Sequence, residues 1–382
     1  MGLKAVKRDL DAIVYELLAP FLDGRFTFPG WKLIGWDAEQ GISLTFESDE
    51  ACLLIEIAER NDQLRSYAHT ARLNVSARRQ FADARFSAAD CQLLERVVAV
   101  LREREALLPE FERPTTSRRT VVREILVDRV LMAEGRNHYY IDPYVGCMIG
   151  CPFCNVIDIA DFSRRLEGLA ELPWGHYLDV KVNAAEVLRR ETQAVSSGIV
   201  RLSPILTDPY QPAERHYRIT RQCLEVLRES DFAPVVLTRA PRVLDDLELL
   251  RRFRRAAVGF SIPTDMDRYR QIFEPGADPI EERLDALRAL HAAGVRTFGV
   301  IQPVLPMDVD RLVEQVAPFV RTVRIDRMHL GARVQHLYDE HGLGEFATQE
   351  FANEIVRRLS CAFRSRGVTV DSLDNLEPLL SQ

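Results

Sequence analysis

Hydrophobic and polar positions follow one rhythm up to about residue 110 and another beyond it. Near the start, Leu10, Ile13, Val14, Leu17 and Leu18 recur at three- and four-residue intervals, the spacing of an amphipathic helix. Three stretches then read as strands, "WKLIGWD", "GISLTFES" and "ACLLIEIAE", with alternation clearest in the second, and "SYAHTARLNV" is a candidate fourth. "AADCQLLERVVAVLREREALL" returns to helical spacing. Residues 1–110 are therefore expected to form a small α+β accessory domain closed by that helix. "LPEFERPTTSRRTVVRE", Leu108 to Glu124, interrupts both periods with two prolines and a Thr-Thr-Ser cluster, so the expected linker is 111–136.

From residue 137 strand-like and helix-like stretches alternate. "NHYYIDPYVGC" is followed by "NAAEVLRRETQAV", "IVRLSPILTD", "HYRITRQCLEVLRES", "APVVLTRA" and "RVLDDLELLRRFRR". "AAVGFSI", "PIEERLDALRALHAAG", "VRTFGVIQPVLP", "DVDRLVEQVAPFV" and "RTVRIDRMHL" continue the series up to a last helix, "TQEFANEIVRRLSCAFRSRG". Strands separated by helices of about 10–15 residues indicate parallel βαβ units. Six repeats over 137–382 predict an α/β fold, a partial (βα)6 barrel, short of the usual eight. Gly294 stands where a helix C-cap glycine belongs, and Asp208 and Asp308 fall just after strands. Parallel α/β folds bind ligands at the carboxyl ends of their strands, so polar residues there are the candidates for chemistry.

Three cysteines, Cys147, Cys151 and Cys154, lie within eight residues after the first strand of this series. Structural zinc usually takes four protein ligands, and there is no second C-x-x-C pair; His138 and His176 are the candidate fourth ligands. A four-iron cluster held by three thiolates keeps one iron open to another ligand. Gly146 and Gly150 give the short loop the backbone freedom to wrap such a cluster. The other cysteines, Cys52, Cys91, Cys223 and Cys361, are isolated in apolar or helical surroundings, as small buried thiols are.

The CxxxCxxC spacing, with Phe153 directly before the third cysteine, resembles the defining motif of the radical S-adenosylmethionine (radical SAM) superfamily. "DPYVGCMIGCPFC", "LDVKVNAAEVLRRE", "LTDPYQPAERHYRITRQCLEVL", "VVLTRAPRVLDDLELL", "VGFSI" and "FEPGADPIEERLDALRALHAAGV" followed by "VIQPVLP" resemble its spore photoproduct lyase-like branch over about residues 137–330. The resemblance implies a radical SAM-type barrel and one 4Fe-4S cluster on Cys147, Cys151 and Cys154. Its open iron would take the amino and carboxylate groups of S-adenosylmethionine. Reductive cleavage would yield a 5′-deoxyadenosyl radical that abstracts hydrogen from substrate, with a flavodoxin or ferredoxin as electron donor.

The same resemblance places Phe153 beside the adenine, or in the core. It places Ser203, Thr207 and Asp208 near the methionine moiety, with helix capping as the rival role for Asp208. Thr238 and Arg239 stand where related proteins have Thr-Lys, giving a cation for the methionine carboxylate. Ser261 matches a serine facing the cofactor, and Gln302 is a candidate contact to ribose or adenine. Lys181 either touches ligand or pairs at the surface. Trp174 is a candidate for the cavity mouth.

Two departures bear on substrate. Spore photoproduct lyases proper have a cysteine shortly before the Thr/Ser-Asp stretch that returns hydrogen to thymine; here it reads Ser203-Pro204-Ile205-Leu206-Thr207-Asp208. Asn155 follows the third cysteine where a tyrosine is common. The chain carries a net charge of −7, with no global pull towards nucleic acid. A small metabolite or natural-product intermediate is thus the leading substrate, DNA or RNA repair or modification the runner-up, and a non-catalytic iron–sulfur or zinc protein the third reading. "RRFRRAA" reads as the solvated end of a helix. With 47% apolar residues the chain can fill a full-sized core, and no run of about 18 apolar residues suggests a membrane span, so a cytoplasmic protein is expected.

Overall fold

The computed structural model describes residues 6–7, 11–37, 42–60, 67–80, 86–108, 120–166, 172–202, 206–329 and 331–381. Its largest sheet has eight strands. His138–Tyr140, Ile199–Leu202, Ala233–Thr238, Ala257–Ser261, Arg296–Ile301, Thr322–Ile325 and Thr369–Val370 run parallel in that order, and Met132–Gly135 pairs antiparallel at the first edge. This is the expected partial βα barrel with an extra short strand at each end. Helices such as Ile219–Glu229, Ile280–Ala292 and Gln349–Ser365 cover it through Leu224, Leu287, Leu359 and neighbours in one continuous apolar core.

The inner face is built in layers, because side chains two apart along a strand point the same way. Ile199, Ala233, Val235, Ala257 and Phe298 form an apolar lower layer, filled by Leu373, Leu376, Leu379 and Leu380 of the C-terminal segment. Phe298 occupies the space beside Gly259, where an added Cβ would come within 2.2 Å of its ring. One step further along the same strands stand Arg201, Ser261 and Arg324, which line an open cavity together with Leu237 and Val300 from the top of the apolar cluster.

The N-terminal strands form an antiparallel sheet in the order Lys32–Asp37, Ile42–Glu47, Cys52–Glu59, Leu73–Gln80, Ala68–His69. The candidate strand "SYAHTARLNV" is a hairpin whose second arm runs on to Gln80. One face of the sheet places Leu44, Phe46, Leu53, Ile55, Ile57 and Val75 against helices Asp11–Leu22 and Ala88–Arg104. Ser87 and Asp90 close the second helix with a reciprocal capping box. The other face turns to the barrel edge: Thr45 Oγ1 donates to Ala133 O at 3.0 Å, and the Cys52 thiol to Glu134 O at 3.2 Å.

The expected linker carries strands. Val121–Leu126 pairs in parallel with Tyr177–Lys181 and Val6–Lys7 in a separate four-stranded sheet, and Met132–Gly135 is the barrel edge itself. The partner of Val121–Leu126 lies far off in sequence, while Met132–Gly135 folds back on the adjacent His138–Tyr140 as a hairpin too short to show a period.

Candidate active site

The cysteine loop is shaped by two close backbone contacts. Gly146 adopts φ +91°, and a Cβ there would meet Tyr177 O at 2.6 Å. Gly276 N donates to Ile149 O at 3.1 Å, and a Cβ on Gly276 would lie 2.7 Å from Ile149 O and 2.8 Å from Met148 O. Gly276→Ala is therefore expected to push the loop outward, at a cost of about 1–3 kcal/mol. The check is a thermal melt alongside the iron content after reconstitution, both of which should fall; an unchanged iron content would show that the loop does not depend on this contact.

Gln211 ties the loop to the loop beyond Ile199–Leu202. Met148 N donates to Gln211 Oε1 at 3.0 Å, while Gln211 Nε2 donates to Gly146 O at 3.3 Å and to the Thr207 hydroxyl. Thr207 Oγ1 in turn donates to Gly146 O at 2.7 Å. Arg333 holds the far end, donating to Cys154 O at 3.2 Å and pairing with Asp158 at 2.6 Å.

Cys147, Cys151 and Cys154 then share one cavity wall with Phe153, Trp174, Thr207, Asp208 and Arg239. Among the described residues no three Cys, His, Asp or Glu side chains converge as the ligands of a single metal ion do. Three thiols on one cavity wall suit the corner ligands of a polynuclear cluster. Neither His138 nor His176 lines this cavity, and His138 Nδ1 lies 2.9 Å from Arg136 O. Burial pushes the Cys147 thiol up to about 12, with Asp208 adding to it, so metal loading must displace its proton.

The polar candidates divide into two groups. Asp208 faces the cysteine cavity but is already held: it accepts from Thr238 Oγ1 at 2.6 Å, Arg239 N at 2.8 Å and Tyr210 N at 2.9 Å. Burial raises its carboxyl above the usual range despite those bonds. Asp208 caps no helix, since the next one begins at Glu214. The structure does not bring Thr238 to a cavity, because its hydroxyl is turned onto Asp208; it orients its neighbour instead. Arg239 lines both cavities, and its Nε pairs with Glu274 at 2.5 Å; Glu274 is fully buried and also pairs with Arg283 at 2.8 Å. Lys181 is fully buried, away from both cavities, which corrects its reading as a surface or ligand residue. Ser203 lies outside the described residues.

The second group opens on the larger cavity, about 490 Å³, which adjoins the first through Phe153, Cys154, Val156 and Arg239. Ser261 lines it, is 1% exposed, and its hydroxyl has no partner within the protein. Gln302 lines it too, 3.5 Å from Asp326. Trp174 lines the cysteine cavity, with a buried indole N–H that has no protein partner. The tyrosines near the strand ends are engaged: Tyr139 with Ser196 O, Tyr140 with Asp37, Tyr144 with Glu214 and Tyr210 with Asp246. Cys223 is packed in the core, and the basic run pairs at the surface through Arg251–Glu248, Arg254–Asp231 and Arg255–Glu377. No helix among the described residues is long and apolar enough to cross a membrane.

Sequence reasoning missed Glu274, Arg283, Gln211 and Arg333, and the cavity wall supplied by the N-terminal sheet. Glu274 does stand in the stretch "FEPGADPIEERL", whose Pro-Gly pair announces a tight approach of backbones.

Several known proteins are similar to part of this chain. An uncharacterised protein of Methanocaldococcus jannaschii is 26% identical over 197 residues, 51% of this chain and 71% of its own length. A protein of Pseudomonas phage M6 named radical SAM Nalpha-GlyT isomerase is 28% identical over 46% of this chain and 36% of its own. A solved spore photoproduct lyase variant covers 61% of this chain and 75% of its own, with TM-score 0.46 and 17% identity. Residues 141–320 match the radical SAM superfamily model, beginning just before the cysteine loop and running through four of the eight strands of the barrel sheet. Residues 141–320 of this chain are thus a radical SAM domain, and three cavity-lining thiols fit the 4Fe-4S cluster and S-adenosylmethionine that such a domain implies.

Proposed function

We propose that this protein cleaves S-adenosylmethionine reductively at a cluster held by Cys147, Cys151 and Cys154, and removes a hydrogen atom from an unactivated carbon of a small metabolite or natural-product intermediate. The observation that carries this reading is the joining of a three-thiol cavity to a polar cavity roofed by the protein's own N-terminal sheet. A cavity of a few hundred Å³ is the size that holds a small molecule. When bound, the two cofactors supply one-electron cleavage of the sulfonium and a radical able to take hydrogen from carbon.

The protein's own task is to place and to exclude. Arg239, fixed by Glu274, offers its remaining N–H groups to the methionine carboxylate, and the Asp208 carboxylate faces the ammonium. Phe153 stands at the junction of the cavities for the adenine, with the Ser261 hydroxyl and the Gln302 amide beyond it. Thr207 and Gln211 hold the loop so that the thiols keep their spacing. A one-electron donor such as flavodoxin or ferredoxin completes the system.

Anaerobic reconstitution with iron and sulfide, followed by dithionite and S-adenosylmethionine, tests the reading. 5′-Deoxyadenosine is expected from loaded protein and not from protein left without iron. Native protein that carries zinc in place of iron would sink the proposal. A second reading, action on a nucleic acid, rests on the resemblance of residues 137–330 to the spore photoproduct lyase-like branch. It requires oligonucleotide binding that weakens steeply with salt, as counterion release dictates.

A further inference from the structure

The N-terminal sheet presents a polar face to the barrel. Along Leu73–Gln80, Asn74, Ser76 and Arg78 alternate with Leu73 and Val75, and the first three line the large cavity; Glu56 and Ala58 of Cys52–Glu59 join them. Ser76 is in register with Glu56, and Asn74 with Ala58. Opposite stand Arg201 and Arg324, carried on the inner face of two barrel strands, one layer above the apolar plug.

Charged side chains inside a barrel are costly to desolvate, so their presence calls for a reason. Six guanidiniums against four carboxylates line this cavity, although the chain as a whole is acidic. Arg239 is held by Glu274, and Arg79 by Asp90 at 3.1 Å. Arg78, Arg201 and Arg324 are close enough for Arg78 and Arg324 each to disfavour the charge on Arg201, whose pKa falls chiefly through burial. Glu56 pairs with Arg78 and Glu134 with Arg201, both at 3.2 Å, and Asp326 with Arg324 at 3.5 Å, which offsets part of that repulsion. Of the guanidiniums lining this cavity only Arg239 also lines the cysteine cavity, so the trio forms a second pole.

We propose that Arg78, Arg201 and Arg324 form a subsite for an oxyanion of the substrate, a carboxylate or a phosphate, with the N-terminal sheet as part of the binding site. The proposal rests on the reading above that the large cavity holds a small molecule, and it narrows that molecule to an anion. Arginine suits the task because its planar fork binds either oxyanion through two parallel N–H donors. Anchoring the anion at this pole leaves the rest of the molecule to reach towards Phe153 and the thiols.

The test is binding, which needs no turnover. Titration calorimetry with inorganic phosphate and with succinate, on reconstituted protein holding S-adenosylmethionine at fixed ionic strength, should show saturable binding of one probe. The preferred probe tells phosphate from carboxylate. Arg201→Gln and Arg324→Gln are each expected to weaken it about tenfold or more, as loss of a charge-assisted hydrogen bond does, while Arg254→Gln, at an exposed surface pair, leaves it unchanged. Arg201→Lys keeps the charge without the fork and should fall between, which covers a glutamine variant that folds poorly. No saturable binding of either probe, or binding indifferent to these substitutions, overturns the subsite. 5′-Deoxyadenosine measured on the same samples separates the two failures: cleavage without anion binding removes the subsite alone, and anion binding without cleavage removes the reaction alone.

Discussion

Glu274→Gln is expected to destabilise the protein by about 3–5 kcal/mol, the usual result of removing one partner from a buried ion pair. Glu274 and Arg283 are both fully buried, and Arg239 is nearly so. The single carboxylate thus pairs with two guanidiniums, and an amide in its place leaves Arg283 desolvated without its counter-ion and Arg239 with only Asp208 nearby. Urea unfolding at neutral pH measures the loss as a lower midpoint with an unchanged slope. The pH dependence gives an independent sign. Burial pushes the Glu274 carboxyl up, but Arg283 and Arg239 outweigh it and leave it below the ordinary value. Its contribution is therefore complete above the unfolded carboxylate range, near about 4.3, and disappears as pH falls through the lower folded value. The difference between wild type and Glu274→Gln should shrink in acid; a difference constant from neutral pH down to about pH 2 would contradict the assignment.

That triad shows what the sequence could and could not disclose. The barrel was legible because its strands and helices each carry a local period, and the cysteine loop because its three thiols are separated by so few residues that their convergence is forced. Glu274, Arg239 and Arg283 come from different elements, and although Glu274 and Arg283 share the stretch "FEPGADPIEERL", nothing in it points to Arg239 as their common neighbour. Asp208 and Thr238 were legible as residues at strand ends, yet their mutual hydrogen bond depends on the packing of Ile199–Leu202 beside Ala233–Thr238. Reading each as an independent ligand contact overlooked the need of buried polar groups to satisfy one another first.

The N-terminal sheet makes the same point from the other side. Its alternation was visible, but a polar face on a strand looks the same whether it meets water or the inside of a cavity. Only the docking of Ile42–Glu47 and Cys52–Glu59 against the barrel edge, through Thr45 and Cys52, turns Glu56, Ser76 and Arg78 inward. The strand within the expected linker was hidden for a related reason, since Val121–Leu126 is completed by Tyr177–Lys181, across the whole cysteine loop.

Cys151→Ala is expected to remove the cluster and, with it, formation of 5′-deoxyadenosine. Two thiolates cannot hold a cube whose fourth iron must stay open, and no other described cysteine lines either cavity. Cys52 is committed to Glu134 O, Cys223 lies in the barrel core, and Cys361 is exposed on the last long helix. Iron should fall from about four per chain to a small fraction of that, and 5′-deoxyadenosine by more than ~100-fold, beyond the loss that outer-shell changes at metal sites produce. Iron assay, visible absorbance and product quantification on parallel anaerobic preparations check this, with a thermal melt of both apo proteins as the control for folding. Because Cys151 sits on a loop above the barrel strands, the apo proteins should melt within a few degrees of each other. Retention of a full iron complement in Cys151→Ala would mean that a ligand from outside the three-cysteine loop completes the site, and the assignment of Cys147, Cys151 and Cys154 as the sole protein ligands would fall.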